Sequence, residues 1–235
     1  MTTNTGKKYQ ILYDQSKVVN GVRVYRIKAI GYPPRVRGNV IGGWIEKEEN
    51  LSQEGTSWIS GEAVVYGNAQ VKDKALVTGN AIVKDNACIS DSAVVAGNSI
   101  VEGNAQVKDY ANVVWNAQVS ENAIISGHAR VDCRSKVLGH AVVTDRAEIF
   151  WEAIVKDCAR VSGSAYIADN AIIYGNAHIS DHANIGDDSR VFGNSEISGY
   201  VLLCGKSIVG NDSQLSGDIN LFDYLDEVQK KQKTA

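Results

Sequence analysis

Residues 63–80 read AVVYGNAQVKDKALVTGN, which is three successive six-residue units of the form A-x-V-x-G/D-x. The same period continues without an insertion from Ser57 to Leu221. From Ile59 onward, every sixth residue is Val, Ile or Leu at all 28 positions. In the register two residues earlier, 19 of 27 positions are Ala and 7 are Ser. A short period that is held over this length predicts a solenoid.

The repeat also predicts the shape of each turn. Three units, each with one short strand and one corner, close a triangular turn of 18 residues, so 28 units make a little over nine turns. Adjacent turns stack as parallel strands about 4.8 Å apart. Pairs such as Gly67-Asn68 and Asp85-Asn86 occupy the corners, and these residue types tolerate left-handed backbone. We therefore predict an all-β chain, folded as a parallel β-helix of about nine triangular coils.

Residues 1–56, before the repeat, predict a β-rich cap. Tyr9–Asp14 and Val18–Ile30 are rich in β-branched and aromatic residues, which predicts two strands. Asn20-Gly21 between Val19 and Val22 indicates a type I′ hairpin turn. We expect this β-hairpin to cover the first coil, whose open backbone edge would otherwise pair with another chain.

The other end of the chain predicts a second, smaller cap. The repeat spans residues 57–221, and residues 222–235 follow it. Leu221, Phe222, Leu225 and Val228 have helical spacing, which predicts a short amphipathic helix within Asp223–Gln232 that covers the last coil.

Composition limits the class of protein. The chain has no signal-peptide pattern and no long apolar run, so we expect a cytoplasmic protein. The four cysteines fall on different columns of the repeat, so we expect free thiols rather than disulfides or a metal site. Residues 1–40 carry a net charge of +7, which leaves −10 for the rest of the chain. The basic end is consistent either with a solvated surface or with a surface that binds an anion or a partner.

The repeat resembles the hexapeptide-repeat, left-handed parallel β-helix family. The junction Gly42-Gly43-Trp44-Ile45, Asn50-Leu51-Ser52-Gln53-Glu54-Gly55 and Trp58-Ile59 is more closely similar to that of the YdcK-like proteins, which are classed as transferases. The resemblance implies a left-handed coil, an exception to the right-handed crossover rule, and assembly into trimers. Most hexapeptide proteins of known activity are acyltransferases that work between trimer subunits, and a few relatives of the fold are γ-type carbonic anhydrases.

The outward-facing positions divide into three faces when they are assigned by their place in the turn. One face is polar, with a column of Lys, Ser and Thr that runs from Lys72 to Ser216. A second is apolar, and we predict that it forms a homotrimer interface because a monomer rarely exposes so large an apolar strip. One column of this apolar face contains Val64, Ile82, Ile100, Ile154, Ile172 and Ile208, and the other contains Tyr66, Leu138, Tyr174 and Phe192.

The corner between the apolar face and the third, mixed face departs from the repeat in three successive turns. Trp115, Cys133 and Trp151 stand where other turns have Gly or Asp, and the flanking columns change in the same turns. The two tryptophans are two turns apart, about 10 Å, whereas a ring held between two aromatic rings needs closer to about 7 Å, so we expect some tilt. The candidate ligand-binding residues at this corner are Trp115, Arg130, Asp132, Cys133, Arg134, Lys136, Phe150 and Trp151.

The four histidines give weak support to an enzyme. An acyltransferase needs a general base, usually His with an orienting partner, and only Asp181 beside His182 fits by adjacency. A carbonic anhydrase type of metal site needs three converging histidines, and His178 with His182 supplies two. His128 and His140 lie at corners. We therefore assign no catalytic residue and no metal.

Two interpretations of the corner stay open. Either the tryptophans and the arginines plug a subunit interface, or they bind a planar or anionic small molecule in a crevice between subunits. We favour a non-catalytic homotrimer that binds a small, anionic or nucleotide-like ligand without a cofactor, for example to sequester a signalling molecule. The alternatives are an acyltransferase that uses acyl-CoA and a purely structural role. Neither a membrane nor a nucleic acid polymer is an expected partner.

Overall fold

The computed structural model describes residues 6–30 and 40–222. The described chain is all-β apart from the 3₁₀ turn Glu48–Asn50, and it forms a parallel β-solenoid whose strands make three sheets of 12, 10 and 9 strands. Successive turns are 18 residues apart, as in the pairing of Val65 with Val83. No helix in these described residues is long and apolar enough to cross a membrane.

Each sheet forms one face of the solenoid. The apolar face consists, in spatial order, of Tyr9–Val19, Val22–Ala29, Ile41–Ile45, Val64–Val65, Ile82–Val83, Ile100–Val101, Gln118–Val119, Lys136–Val137, Ile154–Val155, Ile172–Ile173, Arg190–Val191 and Ile208–Val209. The mixed face consists of Trp58–Ile59, Leu76–Val77, Val94–Val95, Asn112–Val113, Arg130–Val131, Glu148–Ile149, Tyr166–Ile167, Asn184–Ile185, Tyr200–Cys204 and Asp218–Phe222. The polar face consists of Gln70–Val71, Cys88–Ile89, Gln106–Val107, Ile124–Ile125, Val142–Val143, Arg160–Val161, His178–Ile179, Glu196–Ile197 and Gln214–Leu215.

The core is the interior of the solenoid. The inward aliphatic residues from Ile59 to Val209 and the alanines two residues before them are fully buried, and they form one continuous cluster. Burial of each such aliphatic side chain contributes about 1.5–3 kcal/mol before conformational entropy is subtracted. The repeated Val, Ile or Leu and the repeated Ala are therefore the sequence features that build the fold.

Asp and Asn recur at the corners because their side chains form hydrogen bonds between successive turns. An Asp carboxylate accepts a hydrogen bond from the corner N–H of the next turn, as Asp145 does from Gly163 at 3.0 Å. Asn side chains also form hydrogen bonds with one another along the solenoid, as where Asn86 Nδ2 donates to Asn104 Oδ1 at 3.0 Å. The Asp contact satisfies a backbone N–H that the strands leave unpaired, and the Asn contacts pair side-chain amides with one another.

The solenoid has about ten turns, because the rungs begin before the six-residue period does. Ile45 pairs in parallel with Val65, and Leu51 forms a bridge with Val71. The period starts only at Ile59, so these two rungs extend the little over nine turns that the sequence predicts to about ten.

The predicted N-terminal hairpin is present and extends the apolar face. The first strand is continuous from Tyr9 to Val19, with a bulge between Leu12 and Ser16 where the sequence predicted a break. Asn20 and Gly21 both have positive φ, as a type I′ turn requires. The bulge lets one long strand follow the twist of its partner.

The hairpin covers the N-terminal end of the core through buried polar contacts. Tyr9 is fully buried, and its hydroxyl donates to the backbone carbonyls of Glu48 and Leu51 at 2.9 and 2.8 Å. Lys8 donates through Nζ to the Ser57 carbonyl at 2.9 Å, and burial lowers the pKa of Lys8 to about 8. The Lys8 ammonium group is therefore buried in contacts within the chain rather than exposed to solvent.

A cluster around Trp44 fastens the hairpin to the first full turn. Lys17 Nζ and the Arg26 guanidinium lie 4.4 and 4.1 Å from the Trp44 ring centroid. All three side chains also contact the Glu62 carboxylate. The hydrogen bond from Trp44 is the largest cause that lowers the pKa of Glu62 to about 2, and Lys17 and Arg26 add to it.

The helix predicted within Asp223–Gln232 lies outside the described residues. Leu221 and Phe222, the first two residues of that helical pattern, belong instead to the strand Asp218–Phe222, which pairs with Tyr200–Cys204. Leu221 lies opposite Leu203, so the last rung of the repeat determines its conformation.

Candidate functional site

Three bulky or reactive residues hold left-handed backbone at one corner in successive turns. Trp115, Cys133 and Trp151 have φ of 62°, 58° and 58°. Fifteen non-glycine residues in the described ranges have positive φ, and eleven of these are Asn or Asp. Residues other than Gly, Asn and Asp rarely adopt this conformation, and such strain clusters at functional sites. This column is therefore the strongest departure from the repeat.

The two tryptophans are unusually exposed. Trp115 is 64% exposed and Trp151 is 56% exposed, whereas the aliphatic residues of the core are fully buried. The Cys133 side chain lies in the turn between them and is only half-buried. The corner thus presents two indoles that the described chain does not cover.

A cavity of about 290 Å³ opens at this corner. All of its lining residues belong to the corner itself, from the tryptophan turns and the turn between them. They are Trp115, Asn116, Cys133, Arg134, Trp151 and Glu152.

The structure separates the eight predicted site residues into two groups. Four of them line the cavity: Trp115, Cys133, Arg134 and Trp151. The other four lie on the adjoining faces: Arg130, Asp132 and Phe150 on the mixed face, and Lys136, exposed, on the apolar face.

The mixed-face group forms a contact network of its own beside the cavity. Asp132 is buried, at 2% exposure, and its carboxylate accepts a hydrogen bond from Arg130 Nε at 2.8 Å and another from the Cys133 backbone N–H. The Arg130 guanidinium lies 5.5 Å from the Phe150 ring centroid. Because Asp132 holds the Cys133 backbone, this network positions the strained corner.

Two lining residues, Asn116 and Glu152, were not predicted from the sequence. Arg134 Nη1 donates to Glu152 Oε1 at 2.9 Å, across one turn of the solenoid. Asn116 accepts a hydrogen bond from Asn98 at 3.1 Å, as part of an asparagine ladder. Each follows a tryptophan directly in the sequence, and that adjacency was the available signal.

Tyr166 extends the aromatic surface one turn beyond Trp151. Burial is the largest cause that raises the pKa of Tyr166, the carboxylates of Asp169 and Glu148 raise it further, and hydrogen bonding with Trp151 opposes the shift. The Tyr166 ring also lies 5.6 Å from that of Phe150. The phenol therefore stays protonated near neutral pH and can act as a hydrogen-bond donor.

Elsewhere the chain shows how rings on successive turns stack. The Tyr110 and His128 rings lie 4.9 Å apart with an interplanar angle of 6°, and the His182 and Tyr200 rings lie 4.7 Å apart at 13°. A ring in the Cys133 turn would have the same spacing to both tryptophans. Two such steps span about 10 Å, the spacing expected between corner positions two turns apart.

The histidines have packing or polar contacts rather than a shared centre. His128 and His182 stack on tyrosines, His178 contacts Ser162 Oγ at 3.3 Å, and His140 lies 3.5 Å from the Asn122 amide. In residues 6–30 and 40–222, no three His, Cys, Asp or Glu side chains are grouped so that they could hold a metal ion.

The N-terminal part of the apolar face is covered by the chain's own hairpin. Val64, predicted to lie in a subunit interface, is only 4% exposed, because it packs in a cluster with Val24, Trp44 and Tyr66. The other isoleucines of the predicted interface remain partly exposed. Ile100, Ile154, Ile172 and Ile208 are half-buried, and Ile82 packs partly against the hairpin cluster.

Comparison with protein-family models gives no match, and neither does comparison with curated protein sequences.

Proposed function

We propose that this protein binds a small planar ligand in the Cys133 turn, between the Trp115 and Trp151 indoles. The observation that carries the proposal is the pair of exposed tryptophans on strained backbone, two turns apart, with a small side chain between them. A ligand ring there would continue a three-ring stack at the spacing of the chain's own ring pairs. Burial of two indole faces would then compensate for the strain.

The polar surroundings favour a ligand that carries an anionic or strongly polar group. Arg134 lines the cavity and is held by one exposed ion pair with Glu152, which contributes little on its own and can rearrange. Lys136 is exposed two residues further along. A nucleotide-like molecule has both parts, a ring to stack and a negative group to meet these cations.

The proposed assembly is a homotrimer that packs through the apolar face beyond the hairpin. The half-buried isoleucines Ile100, Ile154, Ile172 and Ile208 support it, as does the proposed membership in the hexapeptide-repeat, YdcK-like group. The cavity corner borders this face, so a neighbouring subunit would form the outer wall of the crevice. No cofactor is part of the proposal.

Tryptophan fluorescence and calorimetry test the binding. Nucleosides, nucleotides and flavin mononucleotide are titrated into the wild-type protein and into the variants Trp115→Ala and Trp151→Ala. Each single change should weaken binding by about fivefold to 150-fold, because stacking contributes about 1–3 kcal/mol per ring. Tyr200→Ala is the matched control, since Tyr200 is an aromatic residue that is also 64% exposed but does not line the cavity.

The oligomeric state of the variants shows whether the two tryptophans bind a ligand or pack in a subunit interface. Native mass spectrometry of the same variants should show unchanged assemblies with lost ligand. If Trp115→Ala and Trp151→Ala instead dissociate the assembly and none of the ring compounds binds to the wild-type protein, the tryptophans are interface residues and the proposed function is wrong.

A further inference from the structure

The Arg134–Glu152 pair lies where the edge of a stacked ring would meet the cavity wall. Arg134 belongs to the same turn as Cys133, and Glu152 follows Trp151 in the next turn. Their contact, Nη1 to Oε1 at 2.9 Å, places a cation and an anion side by side in the wall. Both side chains are well exposed, at 75% and 57%, so a ligand can reach them.

The pair offers donors next to acceptors. A guanidinium has five N–H donors, of which this contact uses one, and a carboxylate has a second oxygen free to accept. A complementary ring edge therefore presents a carbonyl oxygen toward Arg134 and, next to it, N–H groups toward Glu152. Charged partners make such hydrogen bonds short and strong.

Among the common bases, guanine matches this arrangement most fully. Its edge carries a carbonyl, a ring N–H and an amino group in a row, so Arg134 can donate to the carbonyl while Glu152 accepts from both nitrogens. Adenine presents one amino group beside an unprotonated ring nitrogen, which leaves Glu152 with a single donor. Hypoxanthine has the carbonyl and the ring N–H but no amino group.

We infer that Arg134 and Glu152 are specificity residues that select a guanine-class ring in the Cys133 turn. This inference rests on the proposed stacking function, and it adds the identity of the ring edge. The tryptophans supply affinity that every base shares, and the Arg134–Glu152 pair supplies the difference between bases.

The test is a calorimetric titration of the full chain with guanosine, inosine and adenosine, which are neutral and so report on the ring alone. Guanosine should bind about tenfold more tightly than inosine and more tightly still than adenosine, the expected effect of a hydrogen bond to a charged group. Glu152→Gln should remove most of this preference while adenosine affinity changes by less than about threefold. Glu102→Gln is the matched control, because it breaks an ion pair with Lys84 on the apolar face, away from the cavity.

The outcomes separate the two proposals. Equal binding of the three nucleosides, a preference for adenosine, or a guanosine preference that survives Glu152→Gln overturns the inference but leaves the stacking site standing. If none of the three binds while flavin mononucleotide does, the inference is also overturned, because a ring then stacks without this selection. If no ring compound binds at all, the proposed function fails as well.

Discussion

Replacement of Cys133 by Asn should make the protein more stable. Cys133 has φ of 58°, a conformation that costs most L-residues about 1–2 kcal/mol and that Asn adopts more readily. In the same corner column, Asp187 Oδ2 accepts a hydrogen bond from the Gly205 N–H at 2.7 Å. The side-chain oxygen introduced by Cys133→Asn can accept from the Trp151 N–H in the same way, which adds about 0.5–1.5 kcal/mol.

Together these effects give an expected gain of about 1–2 kcal/mol, or roughly 3–6 °C in Tm for a chain of this size. Thermal unfolding followed by circular dichroism measures it, and hydrogen exchange at the Trp151 amide shows whether the gain is local. Cys133→Ser is the control, because it removes the thiol and keeps the strained backbone. An unchanged or lower Tm for Cys133→Asn would refute the view that this corner carries strain for the sake of the cavity.

Three further outcomes follow from the cap and the apolar face. Tyr9→Phe should lower the free energy of unfolding by about 1–3 kcal/mol in denaturant titrations, because two backbone carbonyls lose their buried donor; no change would show that water replaces it. The pKa of Glu62 is lowered from 4.5 to about 2 in the folded protein. The stabilisation that ionised Glu62 gives to the hairpin is therefore fully present above pH 4.5 and is lost as the pH falls toward 2. Hydrogen exchange of the hairpin amides, corrected for its intrinsic pH dependence, should rise across that interval, and a flat profile would contradict this. Ile172→Glu should dissociate the proposed trimer in native mass spectrometry while Thr144→Glu, on the polar face, leaves it intact; equal effects would place the interface elsewhere.

The period predicted most of the fold because it reports the core directly. Every sixth residue must be large and aliphatic, and the one two places earlier must be small, to fill a triangular turn. The first two rungs were missed because eight residues, not six, separate Leu51 from Ile59. The burial of Val64 was missed for a different reason: it depends on where the hairpin docks, and that contact is distant in sequence.

The candidate site was predictable only where it interrupts the pattern. Trp115, Cys133 and Trp151 stand out because each replaces a Gly or Asp. Arg134 is predicted with them as a basic residue beside Cys133, whereas Glu152 is not, since polar residues are ordinary at the second corner position and its pairing with Arg134 depends on rotamers that reach across a turn. The grouping of Arg130 with Asp132 rather than with the cavity depends likewise on side-chain direction.

The most direct test of the central claim is calorimetry of a variant that fills the proposed ring position. A tryptophan in place of Cys133 has a precedent, since Trp115 and Trp151 hold the same backbone conformation. The ring compounds are titrated into the wild-type protein, where the space between the two indoles is open, and into Cys133→Trp, where a third indole fills that space. We predict saturable binding of one ligand per chain to the wild-type protein and none to Cys133→Trp, with the same oligomeric state in both. Equal binding to both proteins, or no binding to the wild-type protein by any ring compound, would contradict the claim that the Cys133 turn is a ligand site.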